Sequence, residues 1–241
     1  MSSRTRQLPL YLSAPHPCSY LNDRQSNTLF VDPDAEIDMA NYSELLHYGF
    51  RRSGRMVYAP RCESCQQCVS VRVPVAQFQP RRKHRRVASA NADISVQPVA
   101  PVFNAAHFAL YQRYTQARHG DGEMAKASPN EFMGFLTAPW TDTVFLELRL
   151  SERLVGVAVT DVAADGLSAV YTFFEPELAS RSLGTLAILR QIERAAAVDL
   201  PYLYLGYWIE DSPKMAYKID FRPIELWQRG QWRRLDSGQR V

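Results

Sequence analysis

Thr143-Val-Phe-Leu-Glu-Leu-Arg-Leu150, Arg153-Leu-Val-Gly-Val-Ala-Val-Thr-Asp-Val162 and Leu167-Ser-Ala-Val-Tyr-Thr-Phe-Phe174 follow one another with almost nothing between them. Each is a run of strand length, and Ala164-Asp165-Gly166 between the last two is a hairpin signal. The spacing predicts a meander. The period then changes: Ser182 to Val198 carries apolar residues at helical spacing, and Tyr202-Leu-Tyr-Leu-Gly-Tyr-Trp208 returns to a short apolar strand. A short helix over Ser212 to Tyr217 and a strand over Phe221-Arg-Pro-Ile-Glu-Leu-Trp227 complete the pattern.

Upstream, Asn104 to Arg118 has helical spacing, and His119-Gly-Asp121-Gly is its stop. Gln97-Pro-Val-Ala-Pro101 reads as a connector, which puts a domain boundary between residues 1–95 and 96–241. In the first part Pro9, Pro15 and Pro17 break the chain into loop and short strand. A helix is expected over 38–47, a strand or turn from Phe50 to Tyr58, and a strand over Val69-Ser-Val-Arg-Val73 that Pro74 closes.

All four cysteines lie in this first part: Cys18, and the run Cys62-Glu-Ser-Cys65-Gln-Gln-Cys68. Such a run brings three sulfurs to one side of a tight loop, which suits a metal, an iron–sulfur centre or redox pairing. With Cys18 folded back as a fourth ligand, the set makes a tetrathiolate site for zinc or an iron–sulfur cluster. The alternative is four reduced thiols packing a small domain.

The net charge of +3 on 241 residues is modest but unevenly placed. Between Gly49 and Arg86 stand Arg51, Arg52, Arg55, Arg61, Arg72, Arg81, Arg82, Lys83, Arg85 and Arg86, against Glu63 alone. That excess attracts a polyanion, nucleic acid first; a solvated basic face is the plainer reading. No window reaches the roughly 18 apolar residues of a membrane span. The N-terminus lacks the apolar core of an export signal, so a reducing cytoplasmic setting is expected.

The order strand, strand, strand, loop, helix, strand, helix, strand resembles the GNAT acyltransferases. Arg181-Ser-Leu-Gly184-Thr-Leu186 is similar to their Arg-x-x-Gly-x-(Gly/Ala) loop, with Leu186 in place of the small last residue. The expected fold is therefore α+β: a small N-terminal cysteine-containing domain and a C-terminal GNAT-like domain with a mixed central sheet. Further motifs carry a closer likeness: Pro17-Cys18-Ser-Tyr20-Leu, Tyr48-Gly-Phe-Arg51-Arg52-Ser-Gly, Tyr58-Ala-Pro-Arg-Cys62, Leu205-Gly-Tyr-Trp-Ile and Met215-x-Tyr217-Lys218-x-x-Phe221-x-Pro223. Together they resemble the aminoacyl-tRNA–protein transferases of the arginyltransferase family, and among them the bacterial leucyl-transferring group.

The resemblance implies transfer of an amino acid from a charged tRNA to the N-terminal amine of a protein beginning with Asp or Glu, which marks that protein for N-degron degradation. The chain's compact length favours leucine as donor over arginine. In related eukaryotic enzymes an iron–sulfur cluster is associated with N-terminal cysteines at a different spacing. The chemistry itself, aminolysis of an ester, needs no cofactor. For the acceptor's carboxylate the candidates are Arg51 and Arg52, with Tyr48 and Tyr58 as hydrogen-bond donors. Asp161 and Glu147 are candidates to take the proton, and Tyr207 to orient amine or oxyanion. Arg81, Arg82, Lys83, Arg85 and Arg86 offer a phosphate track, and Arg181 and Gly184 a phosphate site at a helix N-terminus. Lys218 faces RNA, the acceptor or plain solvent. A coenzyme A-dependent N-acetyltransferase would explain the C-terminal half alone; a non-catalytic RNA- or metal-binding module would explain only the cysteines and arginines.

Overall fold

The computed structural model describes residues 8–120 and 123–239; Asp121 of the expected helix stop lies outside them. The strands are β1 (Leu10–Leu12), β2 (His16–Pro17), β3 (Gln25–Ser26), β4 (Thr28–Val31), β5 (Arg51–Ser53), β6 (Met56–Pro60), β7 (Val69–Pro74), β8 (Ile94–Val99), β9 (Thr143–Leu150), β10 (Arg153–Ala163), β11 (Gly166–Phe174), β12 (Tyr202–Trp208), β13 (Ile224–Gln228) and β14 (Gln231–Leu235). The α-helices are α1 (Met39–His47), α2 (Arg82–Ala90), α3 (Ala105–His119), α4 (Pro129–Leu136), α5 (Leu183–Ala197) and α6 (Pro213–Ala216).

The meander β9–β10–β11 lies within an eight-stranded sheet of order β14-β13-β7-β12-β11-β10-β9-β8. Its neighbours pair antiparallel except β11 and β12, which run parallel. That parallel pair is bonded only across Gly166–Ser168 and Tyr202–Tyr204. Beyond it β11 continues against β10 and β12 against β7, so the sheet parts between them.

Two sequence expectations change here. Strand β7, from the first 95 residues, sits in the middle of the large sheet, so the boundary near residue 95 does not coincide with a break in it. The proline-marked connector at 97–101 begins as strand β8, where Pro98 is opposite Leu146. β8 is an edge strand, and an edge has no second neighbour to miss the proline's absent N–H.

Alternation along the strands fills both faces. Phe145, Val157, Val159 and Phe173 meet Leu110 and Tyr111 of α3 and Phe132 and Leu136 of α4. Leu146, Leu148 and Ala158 meet Leu183, Leu186 and Ala187 of α5 on the opposite face. A smaller sheet of order β1-β4-β6-β5 packs with α1 on the α3 side, where Tyr42, Leu46 and Val57 close over Ala163 and Tyr204. Helix α4, which the strand pattern did not predict, starts at Ser128 with Pro129 behind it and Glu131 returning a bond to the cap, a capping box.

One ion pair fastens the small sheet to the large one. Arg52 on β5 grips Asp161 on β10 with two bonds, Nε to Oδ2 at 2.6 Å and Nη2 to Oδ1 at 2.7 Å. Both side chains are fully buried. Thr143 of β9 donates to the same Oδ1 at 2.7 Å, and Arg52 Nη2 also donates to the Leu136 carbonyl at the end of α4, 2.9 Å away. The adjoining turn is tight: at Gly54, with φ +56°, a Cβ would stand 2.3 Å from the Gly134 carbonyl oxygen.

On the other face α2 rests on the C-terminal segment through His84, which is fully buried and stacks on Phe221 with ring centres 4.7 Å apart. Burial, with the charge of Lys83, pushes the His84 imidazole down to about 4.

Replacing one partner of a buried ion pair strands the other charge, so Asp161→Asn is expected to lower stability by about 3–5 kcal/mol in denaturant unfolding. Turnover lost with stability intact would instead make Asp161 a base. The unfolded chain takes up a proton at residue 84 near pH 6.5, and the folded one only near 4. Stability is then full above pH 6.5 and falls as pH drops towards 4, by about 1–3 kcal/mol. Melting curves of His84→Phe between pH 7.5 and 5 should lack that loss.

Candidate functional site

Helix α5 begins at a sharp bend, with Ser182 at φ 56° leading into its first turn. This turn opens on a cavity of about 340 Å³. Its walls are Ser182 and Thr185 of the turn, Arg181 before it, Lys83 and Arg86 of α2, and Tyr217 and Phe221 from the segment after α6. Free N–H groups at a helix start favour an anion, and three cationic side chains add to that field.

The expected phosphate contacts are placed as follows. Arg82, Arg85 and Arg86 stand exposed on α2, with Arg85 donating to the Pro80 carbonyl. Arg81 and Lys83 share Asp220. Arg181 donates to the Asn91 side chain at 2.9 Å, to the Ala90 carbonyl at 3.0 Å, and to Asp93, tying the entry of α5 to the end of α2. Gly184 is not among the lining residues: a Cβ on it would meet Phe174 of β11 at 3.5 Å. Ser182 and Thr185 are the residues of this turn that face the cavity.

Arg51 and Arg52 are neighbours on a strand and so point opposite ways. Arg52 is held by Asp161, which removes it from the acceptor and removes Asp161 from proton transfer. Arg51 donates from Nη1 to the Phe50 carbonyl at 2.6 Å and from Nη2 to Ser70 Oγ, while its Nε is buried with no partner among the described residues. Its guanidinium lies 5.4 Å and 5.9 Å from the ring centres of Tyr204 and Tyr207. Close by is Lys218, only 8% exposed rather than solvated. Its Nζ donates to the Tyr207 carbonyl at 2.8 Å and lies 3.2 Å from Met215 Sδ. Burial, reinforced by the charge of Arg51, pushes the Lys218 ammonium down to about 7.

Tyr58 flanks this pair, its ring 6.0 Å from that of Tyr207. The Tyr207 hydroxyl is directed at the carbonyls of Gly49 and Tyr58, 3.1 Å from each, so it braces backbone and is not available to orient an oxyanion. Glu147 is also engaged elsewhere. It accepts from His107 at 2.6 Å and Arg149 at 2.7 Å beneath α3, three strands from β12. Burial alone would raise its pKa, but those bonds and charges outweigh it and hold the carboxyl below its ordinary range.

A second cavity, about 1000 Å³, lies between the small sheet and the β13–β14 hairpin. Tyr48, Phe50 and Trp227 line it with Leu10 and Leu45, and Arg61, Arg229 and Arg233 add charge. Cys62, Cys65 and Cys68 form part of its wall. Burial, with the charges that Cys18, Cys62 and Cys65 would carry, pushes the Cys68 thiol up to about 12. The four sulfurs are thus neighbours, yet among the described residues no three Cys, His, Asp or Glu side chains converge as a metal-ligand set. In this arrangement they do not fit a bound metal or cluster, and no chemical step is assigned to one.

Sequence reasoning left Lys218 open because nothing local marks it. Its burial depends on where the chain returns after β12.

Comparison with known proteins covers both halves of the chain. Residues 16–86 match the family model "Arginine-tRNA-protein transferase, N terminus", and residues 106–228 the corresponding "C terminus" model. The aspartate/glutamate leucyltransferase of Marinobacter nauticus is 49% identical over 98% of this chain and 99% of its own. That of Alkalilimnicola ehrlichii is 48% identical over 94% and 95%. Among solved structures, the C-terminal domain (DUF2156) of a putative lysylphosphatidylglycerol synthetase from Agrobacterium fabrum gives a TM-score of 0.47 at 11% identity, covering 69% of this chain and 50% of that one. On the two family matches and the near-complete coverage by these relatives, the chain belongs to the arginine-tRNA–protein transferase family.

Proposed function

We propose that the protein transfers leucine from leucyl-tRNA to the N-terminal amine of proteins that begin with Asp or Glu, marking them for N-degron degradation in the cytoplasm. The names of the similar relatives support leucine over arginine as the donor. The observation that carries the reading is the position of residues 217–221. Tyr217 and Phe221 line the basic cavity at the start of α5, while Lys218, between them, turns to Arg51 beneath the small sheet. One short segment therefore separates a site suited to phosphates from a site suited to an acidic acceptor, the arrangement that group transfer requires.

On the donor side, Arg82, Arg85 and Arg86 attract the tRNA, with Arg81 and Lys83 held back by Asp220. Ser182, Thr185 and Arg181 receive a phosphate of its aminoacylated end. The parting of β11 from β12 admits the ester between the two sites, as in a GNAT-like domain. The acceptor's neutral amine then attacks the ester carbonyl. A C–N bond forms, the C–O bond to the ribose breaks, and the amine's proton ends on the ribose hydroxyl. An α-amine of pKa roughly 7.7–8.0 is partly neutral near pH 7, so no dedicated carboxylate base is needed. Holding amine and carbonyl together supplies several kcal/mol, about 7–11 in the most favourable cases. The cysteine loop serves as scaffold beside the acceptor site.

Incubation with radiolabelled Leu-tRNA or Arg-tRNA and peptides starting with Asp, Glu or Ala tests this. Label should pass from leucine only, and to the Asp and Glu peptides only. Acetyl transfer from coenzyme A with no transfer from any charged tRNA would replace the reading with an acetyltransferase. In the double variant Arg82→Glu/Arg86→Glu the Michaelis constant for Leu-tRNA should rise, and the logarithmic salt dependence of binding should flatten by roughly 1–2.

A further inference from the structure

Three arginines on strands β5 and β7 are buried, and they differ in one respect. Arg52 has Asp161, and Arg72 has Glu225 at 2.7 Å. Among the described residues Arg51 has no carboxylate: the side chains acting on it are tyrosines, and its Nε is left without a partner. A second cation, Lys218, faces the same gap. Arg51 Nε and Lys218 Nζ lie 4.0 Å and 3.6 Å from the point that a Cβ on Gly206 would occupy. Apart from the residues flanking Gly206, no other described atom lies within 4 Å of that point. Gly206 has φ +80°, a conformation that itself favours glycine, so the space between the two nitrogens stays free of a side chain.

Two buried cations facing one gap that no side chain fills are costly unless an anion joins them. We propose that Arg51 and Lys218 form the receptor for the side-chain carboxylate of the acceptor's first residue, and so set the preference for Asp and Glu. This deepens the transfer reading above and rests on it. The occupant is a carboxylate rather than a tRNA phosphate because the two cations are only 5% and 8% exposed and the rings of Tyr204 and Tyr207 wall the guanidinium. So enclosed a place disfavours a chain phosphodiester far more than a carboxylate on a one- or two-carbon arm. The same two charges disfavour protonation of the acceptor's α-amine, which keeps the nucleophile neutral.

The test uses the full-length protein and the variants Lys218→Gln, Lys218→Met and Lys218→Arg. Calorimetry compares binding of two peptides that differ only in Glu or Gln at the first position, and the leucyl-transfer assay compares their Michaelis constants. In the wild type the Glu peptide should bind at least tenfold tighter. In Lys218→Gln that preference should fall towards one, with Leu-tRNA affinity unchanged, and Lys218→Arg should restore part of it. Tm should stay at or above the wild-type value in Lys218→Gln and Lys218→Met, since a buried cation beside Arg51 has been removed. A Glu preference that survives in folded Lys218→Gln overturns the proposal. So does a fall in Tm in both neutral variants, which would mark Lys218 as a structural residue. If the wild type transfers leucine to no peptide, the transfer reading fails, while calorimetry still decides whether this pair reads a carboxylate.

Discussion

The Arg52–Asp161 clasp is the constraint on which the site depends. It reaches from the small N-terminal sheet into the large one, and it holds at once a strand of each, the end of α4 and Thr143 of β9. A bidentate guanidinium–carboxylate pair has a fixed plane and direction. With Arg52 so held, the pleat sends Arg51 the opposite way, towards Tyr204, Tyr207 and Lys218. One dipeptide therefore supplies a fastening and a binding group, and the order of the two residues decides which is which.

The chain keeps its positive charge in two forms. On α2 the cations stand in water, where they attract a polyanion over a distance set by ionic strength. Around Gly206 two cations are buried, where screening is weak and a single carboxylate counts for much more. The first form suits a large, extended donor; the second suits one small acidic group. The segment 217–221 touches both sites, so a shift of this segment would move donor and acceptor together.

Much of this fold was legible in the sequence. Strands β9 to β12 and helix α5 fall where their periodicity puts them, because their apolar residues answer to cores on known sides. Less legible were β8 and β14, edge strands with proline or arginine in them, and α2, whose charged residues hide the single buried histidine on which it rests. The candidate site was legible in residue type more than in role. Lys83, Arg86 and Arg181 line one cavity and Tyr48 the other, but Asp161, Glu147, Arg52 and Tyr207 are held by other protein groups. A carboxylate at the end of a strand looks the same in sequence whether it awaits a substrate or an arginine more than a hundred residues away.

By itself, the sequence determined the mixed architecture of the C-terminal half, the basic stretch beside the cysteine loop, and the motifs that carry the resemblance to the arginyltransferase family. These follow from local spacing and composition, which survive without knowledge of long-range contacts. Only the tertiary structure decided which charges are paired, that Lys218 is buried rather than solvated, and that the four thiols are neighbours without forming a ligand set. The reason is that charge pairing and desolvation are set by distance in space, and the partners here come from strands brought together only when the sheet closes.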